Sequence, residues 1–273
     1  MPQIINTNIS SLNAQRNLNT SQGSLNIALQ RLSSGLRINS SKDDAAGLAV
    51  AEKMNSQSRG MVVAMRNAND GLSVAQVAEA GMNVIGEHLQ RMRELAVQAS
   101  SGQYDSDNRA ALDTEYQQLA SEIDRVVDAT NFNGQQLLKA GSPFISGVDF
   151  QIGATTGSES QITVKIASLG ASSLGAITDA SSALAEMTAL DTMIDAINLN
   201  RADLGAIQNR FEGVLSQLSA AQENTEAARS RIMDADYAAE TAKLARAQVL
   251  QQAGVAMLSQ ANALPQNVLR LLQ

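Results

Sequence analysis

The sequence contains no cysteine, no tryptophan and a single histidine, His88, in 273 residues. Disulfides, cysteine nucleophiles and Cys/His zinc sites are therefore excluded. His88 stands between Glu87 and Leu89 on a helical stretch and reads as a surface residue rather than a general base. Aromatic residues make up 3% of the chain, too few for the core and pockets of a compact globular enzyme. Proline occurs only at Pro2, Pro143 and Pro265, so long helices can run on either side of the middle one. No run of about 18 apolar residues occurs, and no basic segment followed by an apolar one lies near Met1. Neither membrane insertion nor a cleaved Sec signal peptide is expected. An HExxH metalloprotease motif and a phosphate-binding Gly-rich loop are also missing. The Asp43-Asp44 pair reads as helix capping or solvation, because adjacent helical side chains point about 100° apart. No catalytic, metal-binding or cofactor-binding residue emerges, and no enzyme activity is expected.

Negative charge is absent from both ends. All 27 acids lie between Asp43 and Glu240 with 13 of the 20 bases, while residues 1–42 carry only Arg16, Arg31, Arg37 and Lys42. Beyond Glu240 only Lys243, Arg246 and Arg270 are charged. These sparse bases lack the clustering and interleaved aromatics of a nucleic-acid surface, so no nucleic acid is expected as a partner. Matching ends predict that both termini share one environment. A transit peptide would explain the N-terminal bias but not its C-terminal repeat.

Hydrophobic residues make up 44% of the chain, and their spacing is helical. From Ala247 the series Leu250, Gly254, Met257, Ala261, Leu264, Val268 and Leu271 alternates threes and fours, with Gln, Asn, Ser and Ala off the seam. A helix with a narrow apolar seam and an almost uncharged back is expected to end against other protein. Residues 5–36 carry a second seam through Leu18, Leu25, Leu29, Leu32 and Leu36, suited to pair with the first. Between them, Ala78, Met82, Ile85, Leu89, Met92, Ala96 and Ala99 form one core stripe, Leu112, Tyr116, Leu119, Ile123 and Val126 another, and Ile197, Leu204, Ile207, Phe211, Val214 and Leu218 a third. Gly60, Gly71, Gly81 and Gly86 interrupt the first of these helices, and close helix approach is favoured over local kinks. Residues 150–152 and 162–166 instead alternate with period two about a Gly/Ser/Thr-rich segment, which predicts a β-hairpin. The expected fold is mainly α: a long helical rod of antiparallel, coiled-coil helices from paired N- and C-terminal halves, with a small β-hairpin in the middle of the chain.

Several motifs carry a resemblance. INTNISSLNAQRNLN at 5–19, LSSGLRINSSKDDAAGLAVAEKM at 32–54, NANDGLSVAQ at 67–76, LQRMRELAVQ at 89–98, FNG at 132–134, RADLGAIQNRFE at 201–212, SRIMDADYAAE at 230–240 and QANALPQNVLRLL at 260–272 are similar to bacterial flagellin. The departure is a reduced outer region, about residues 141–173. The resemblance implies a terminal assembly domain of residues 1–42 and 236–273, disordered in the monomer and ordered in a filament. It also implies a rod of 43–140 and 174–235, with the hairpin region at 141–173. The implied function is the structural subunit of the flagellar filament, self-assembling into a helical polymer for swimming, exported without a Sec signal and extracellular. The implied partners are further copies of the chain, an export chaperone, a filament cap protein and a hook-filament junction protein. The alternatives are a junction protein of the same superfamily and a secreted monomeric coiled-coil adhesin or receptor ligand.

The assembly seam is expected at Leu25, Leu29, Leu32, Leu36, Leu250, Met257, Leu264, Val268, Leu269, Leu271 and Leu272. Leu95, with Arg91 and Gln98, falls roughly 120° from the Ala78–Ala99 stripe, so it is either exposed or covered by a neighbouring helix. By resemblance Arg91, Leu95 and Glu115 match positions recognised by the vertebrate flagellin-sensing Toll-like receptor, and with Gln98 they mark a filament contact. The aliphatic cluster at 268–272 resembles the one that inflammasome receptors detect. Thr155, Thr156, Ser158, Ser160 and Thr163 are candidate O-glycosylation sites, with unmodified loop residues as the default.

Overall fold

The computed structural model describes residues 7–171 and 174–271, with side chains as far as residue 263. The described chain is mainly α-helical, with two small antiparallel hairpins. Helix α1 spans Ile9–Ser34. The Asn8 side chain accepts from the Ser11 amide at 3.1 Å at its start, and Gly35, at φ 71°, ends it by donating to the Arg31 carbonyl. A Cβ would be strained in that left-handed conformation, which is why glycine terminates the helix. Helix α2, Ala45–Ser100, runs 56 residues from a start capped by Asp44, whose Oδ1 accepts from the Gly47 amide at 2.8 Å. Its neighbour Asp43 folds the preceding turn by accepting from Ser40 and Asn39, and these hydrogen bonds, the Ser40 hydroxyl first, hold its carboxyl below the usual range.

Helix α3, Ser106–Ala129, is N-capped by Asp105, which accepts from the Asn108 amide at 2.8 Å. A short hairpin of β1, Asn131–Phe132, and β2, Gln135–Gln136, follows. Its turn residues Asn133 and Gly134 both take positive φ, 50° and 77°, which matches the right-handed twist of a two-residue hairpin. Ser142 caps the four-residue α4, Pro143–Ser146. The expected hairpin then forms from β3, Val148–Gln151, and β4, Gln161–Val164, with Val148 opposite Val164. Helix α5, Ala180–Met233, starts where Asp179 accepts from the amides of Ser181 and Ser182, and these bonds with the Ser181 hydroxyl hold its pKa at about 2. Helix α6 spans Tyr237–Leu271.

The chain divides into two compact units, Met1–Ser56 with Asn224–Gln273, and Gln57–Glu223. In the second, the whole predicted stripe from Ala78 through Met82, Ile85, Leu89 and Met92 to Ala99 is buried. Tyr116 and Ile123 of α3, Ile162 and Val164 of β4, and Ile197, Leu204 and Phe211 of α5 join the same core. The Tyr116 hydroxyl donates to Glu186 Oε2 at 3.0 Å, and burial pushes its pKa up. Phe211 meets Phe150 edge-on at 6.0 Å. Asp124 and Asp113 tie down the connection to α5 by accepting from the amides of Ala171 and Ile177 at 2.9 and 2.8 Å. Close approach accounts for Gly60, Gly71 and Gly81, where an added Cβ would fall within 2.8 Å of Ala154, Phe211 and Thr130 respectively. Gly86 faces open space.

Candidate assembly interface

The first unit is built where the two ends of the chain meet. After Gly35 the backbone runs beside the end of α5, with Leu36 bridged to Asp234. The Arg37 amide donates to the Met233 carbonyl at 2.6 Å, and the Ala235 amide donates to Gly35 at 2.9 Å. The Arg37 guanidinium adds a 2.5 Å bond to the Ile232 carbonyl. Ile38, Ala51 and Met233 close over this crossing as a small buried cluster. These bonds fix α6 beside α1 at one end, and Asp236 caps α6 by accepting from the amides of Ala238 and Ala239.

Helices α1 and α6 then pair along their length. Glu240 is only 3% exposed and lies between Arg31 Nη1 at 3.0 Å and Lys243 Nζ at 2.7 Å. The Lys243 ammonium and the Arg31 guanidinium hold its carboxyl below the usual range against the opposing cost of burial. Further along, Leu25, Ala28 and Ala247 are buried. Gln251 donates to Gln22 at 2.7 Å, and Gly254 approaches so closely that a Cβ there would sit 3.2 Å from Leu18 Cδ1. Asn8 closes the far end by donating to the Ala261 carbonyl at 2.7 Å.

The expected seam is therefore displaced. Leu25 faces the partner helix and Leu32 and Leu36 are half-buried, but Leu29, Leu250 and Met257 point outward, at 48%, 51% and 64% exposed. The reason is steric. Ala28, Ala247, Gly254 and Ala261 let the backbones approach, so small side chains occupy the line of contact and the larger aliphatics stand at its solvent-facing margins. Ile9, Leu12, Val249 and Val255 are exposed as well, which leaves several large aliphatics on the outer surface of the α1–α6 pair. The side chains of Leu264, Val268, Leu269 and Leu271, and Leu272 altogether, lie outside the described residues.

On the second unit, Arg91 joins α2 to α3. Its Nε donates to Glu115 Oε1 at 2.9 Å and its Nη1 to Glu94 Oε2 at 2.9 Å, and these bonds raise its pKa. Gln98, one face further on, donates to the Tyr104 hydroxyl at 2.8 Å. Of the two alternatives for Leu95, exposed or covered by a neighbouring helix, the structure has the second. This leucine is 1% exposed and belongs to the core, because α3 covers the side of α2 that lies off the main stripe. Among the candidate acceptors, Ser160 is buried with its hydroxyl against that of Thr155, whereas Thr155, Thr156 and Ser158 are exposed. Thr163 is exposed and donates to Asp149 Oδ1 at 2.5 Å.

Sequence reasoning missed the Arg31–Glu240 pair. Its signal was present: Glu240 is the last acid of the chain, on the edge of an acid-free segment. Among the described residues, no group of three or more His, Cys, Asp or Glu could hold a metal ion, and no helix is long and apolar enough to cross a membrane.

Comparison with known proteins agrees with this architecture over nearly the whole chain. Residues 5–142 match the bacterial flagellin N-terminal helical region, and residues 187–272 match the bacterial flagellin C-terminal helical region. A flagellin of Halalkalibacterium halodurans is 44% identical, covering 99% of this chain and 100% of its own. A flagellar filament 33 kDa core protein of Treponema phagedenis is 41% identical over the same shares. The crystal structure of Bacillus cereus flagellin superposes with a TM-score of 0.50 at 32% identity, covering 56% of this chain and 88% of that one. The two-ended helical sequence, the paired α1 and α6 with large aliphatics on their outer surface, and these full-length matches make this chain a member of the bacterial flagellin family, the structural subunits of the flagellar filament.

Proposed function

We propose that the outward face of the α1–α6 pair is the surface through which copies of this flagellin polymerise. The observation that carries the reading is the set of exposed aliphatics, Ile9, Leu12, Leu29, Val249, Leu250 and Met257, on helices almost free of acids. Covering them with a second copy removes apolar area from water, at about 25 cal/mol per Å², without burying an unpaired carboxylate. The terminal segments 1–42 and 236–273 act as the assembly domain, 43–140 with 174–235 as the rod, and 141–173 as the hairpin region at the outer surface. Ordering of the terminal segments is offset when neighbours cover them.

The same reading assigns an extracellular filament, reached by type III export. An export chaperone holds the C-terminal segment, a cap protein orders addition at the tip, and a hook-filament junction protein seats the first subunits. Absence of cysteine and scarcity of proline support passage of an unfolded chain through a narrow channel. Arg91 and Glu115, exposed and paired, offer a charged patch for a neighbouring subunit or a host Toll-like receptor, with Leu95 supporting it from beneath. Val268, Leu269, Leu271 and Leu272 are the candidate inflammasome determinant. Thr155, Thr156, Ser158 and Thr163 are the accessible candidate glycan acceptors.

Seeded polymerisation of purified protein, read by sedimentation and negative-stain electron microscopy, tests the central claim. Long uniform tubes are expected, and Leu250→Asp with Met257→Asp should abolish them while leaving the second unit helical. Tubes from that double variant would remove α6's outward face from the interface.

A further inference from the structure

We infer that Met257 is an oxidation site that gates assembly: its thioether is open to peroxide in the free subunit, and its sulfoxide blocks polymerisation. This rests on the assembly reading of the α1–α6 surface.

The ten methionines of the chain are not equivalent. Met61, Met82, Met92 and Met233 are buried at 0–7% exposure, and Met54, Met65, Met187 and Met193 are half-buried. Met257, at 64%, is the one exposed methionine among the described residues. Oxidation of methionine follows the accessibility of its sulfur, so a peroxide meets this side chain first.

Position gives the oxidation a consequence. Met257 and Leu250, seven residues apart, line one side of a groove of about 600 Å³ between α6 and α1, and Ala14, Asn13 and Ser10 line the other. Met257 supplies flexible apolar volume there, and no charged residue lines the groove. In the oxidation, the sulfur lone pair attacks one peroxide oxygen, the O–O bond breaks, and the second oxygen leaves as water or an alcohol. The sulfur is oxidised by two electrons, and the peroxide is reduced by the same two. The product is a polar, chiral sulfoxide with a strong acceptor oxygen. A neighbouring copy that covers the groove must strip water from that oxygen and make room for the added atom, costs that the thioether does not carry. Once copies have assembled, the same cover shields the sulfur, so the free subunit is sensitive and the polymer is resistant.

The experiment treats full-length free subunits and preassembled filaments with hydrogen peroxide, maps sulfoxide by peptide mass spectrometry, and then seeds polymerisation. In free subunits Met257 should oxidise at least fivefold faster than Met61, Met82 or Met92, and in filaments its rate should drop at least fivefold. Treated wild-type subunits should need at least a tenfold higher concentration to polymerise. Met257→Leu, which removes the sulfur, is compared with itself: whatever concentration it needs untreated, that concentration should change less than twofold on treatment. Oxidation of Met257 no faster than the buried methionines overturns the site. Fully sulfoxidised Met257 in subunits that polymerise normally, or equal inhibition of treated Met257→Leu, overturns the gate and leaves the assembly reading standing. Untreated wild type that fails to polymerise on seeds overturns both.

Discussion

At Gly71 an added Cβ would lie 2.5 Å from Phe211 Cζ, whereas at Gly86, a few turns along the same helix, nothing stands within 4 Å. Phe211 is fully buried and held edge-on against Phe150, so it has no room to swing away. Alanine gains about 1 kcal/mol over glycine in a helix interior, and forced overpacking costs about 1–3 kcal/mol. Gly86→Ala should therefore raise the unfolding free energy by about 1 kcal/mol, while Gly71→Ala should lower it despite the same change in propensity. Urea denaturation of the two variants checks this, and equal shifts would mean that the Phe211 contact does not constrain α2. Leu95 poses the complementary case. As a core residue at 1% exposure, its truncation to alanine should cost about 2–5 kcal/mol, where a surface leucine would change stability little. Thermal unfolding of Leu95→Ala distinguishes the two, and any loss of recognition in that variant must be read after its loss of packing.

The α1–α6 pair carries one buried acid, and that makes its association pH-dependent. Glu240 has a folded-state pKa below the ordinary glutamate value of 4.5, so its contribution is complete above that value and is lost as pH falls through the depressed folded pKa. Hydrogen-exchange protection of α1 and α6 in assembled protein should decline on acidification below pH 4.5, the ordinary value. Glu240→Gln, which keeps the shape but not the charge, should begin less protected at neutral pH and show a flatter decline than wild type over that window. Identical acid profiles for the two proteins would assign the acid sensitivity to other carboxylates. The neutral residues around this pair sharpen the point. With no acid before Asp43 or after Glu240, no other carboxylate of α1 or α6 can take over for Arg31 or Lys243.

For the molecule as a whole, charge divides between the units. Met1–Ser56 with Asn224–Gln273 holds ten bases and seven acids, while Gln57–Glu223 holds ten bases and twenty acids. The second unit also holds its own core of buried α2, α3 and α5 residues. Deleting residues 243–273 should abolish polymerisation while leaving a soluble, acidic and helical protein. Circular dichroism and sedimentation of the truncated chain test this together. Filaments from it would sink the two-ended interface, and loss of helicity far beyond the deleted segment would show that the second unit depends on α6.

Periodicity in the sequence determined the helices. The threes and fours from Ala78 to Ala99 marked a stripe that is buried throughout, and alternation at 150–152 and 162–166 marked the hairpin to within two residues. Flagellin membership was legible in the same way, because its motifs lie along nearly the whole chain. The β1–β2 hairpin was not, since two-residue strands are too short to show a period. Which residues of a helix face which neighbour was decided only by tertiary structure. Leu25 and Leu29 stand on the same sequence seam, yet one is buried and the other exposed, because Ala28, Ala247 and Gly254 let α1 and α6 approach along a slightly rotated line. Leu95 is off its helix's main stripe, yet buried, because α3 arrives on that side. A repeat defines a face from one chain segment's own geometry, but burial is a property of the pair of surfaces, and the second surface comes from residues distant in sequence.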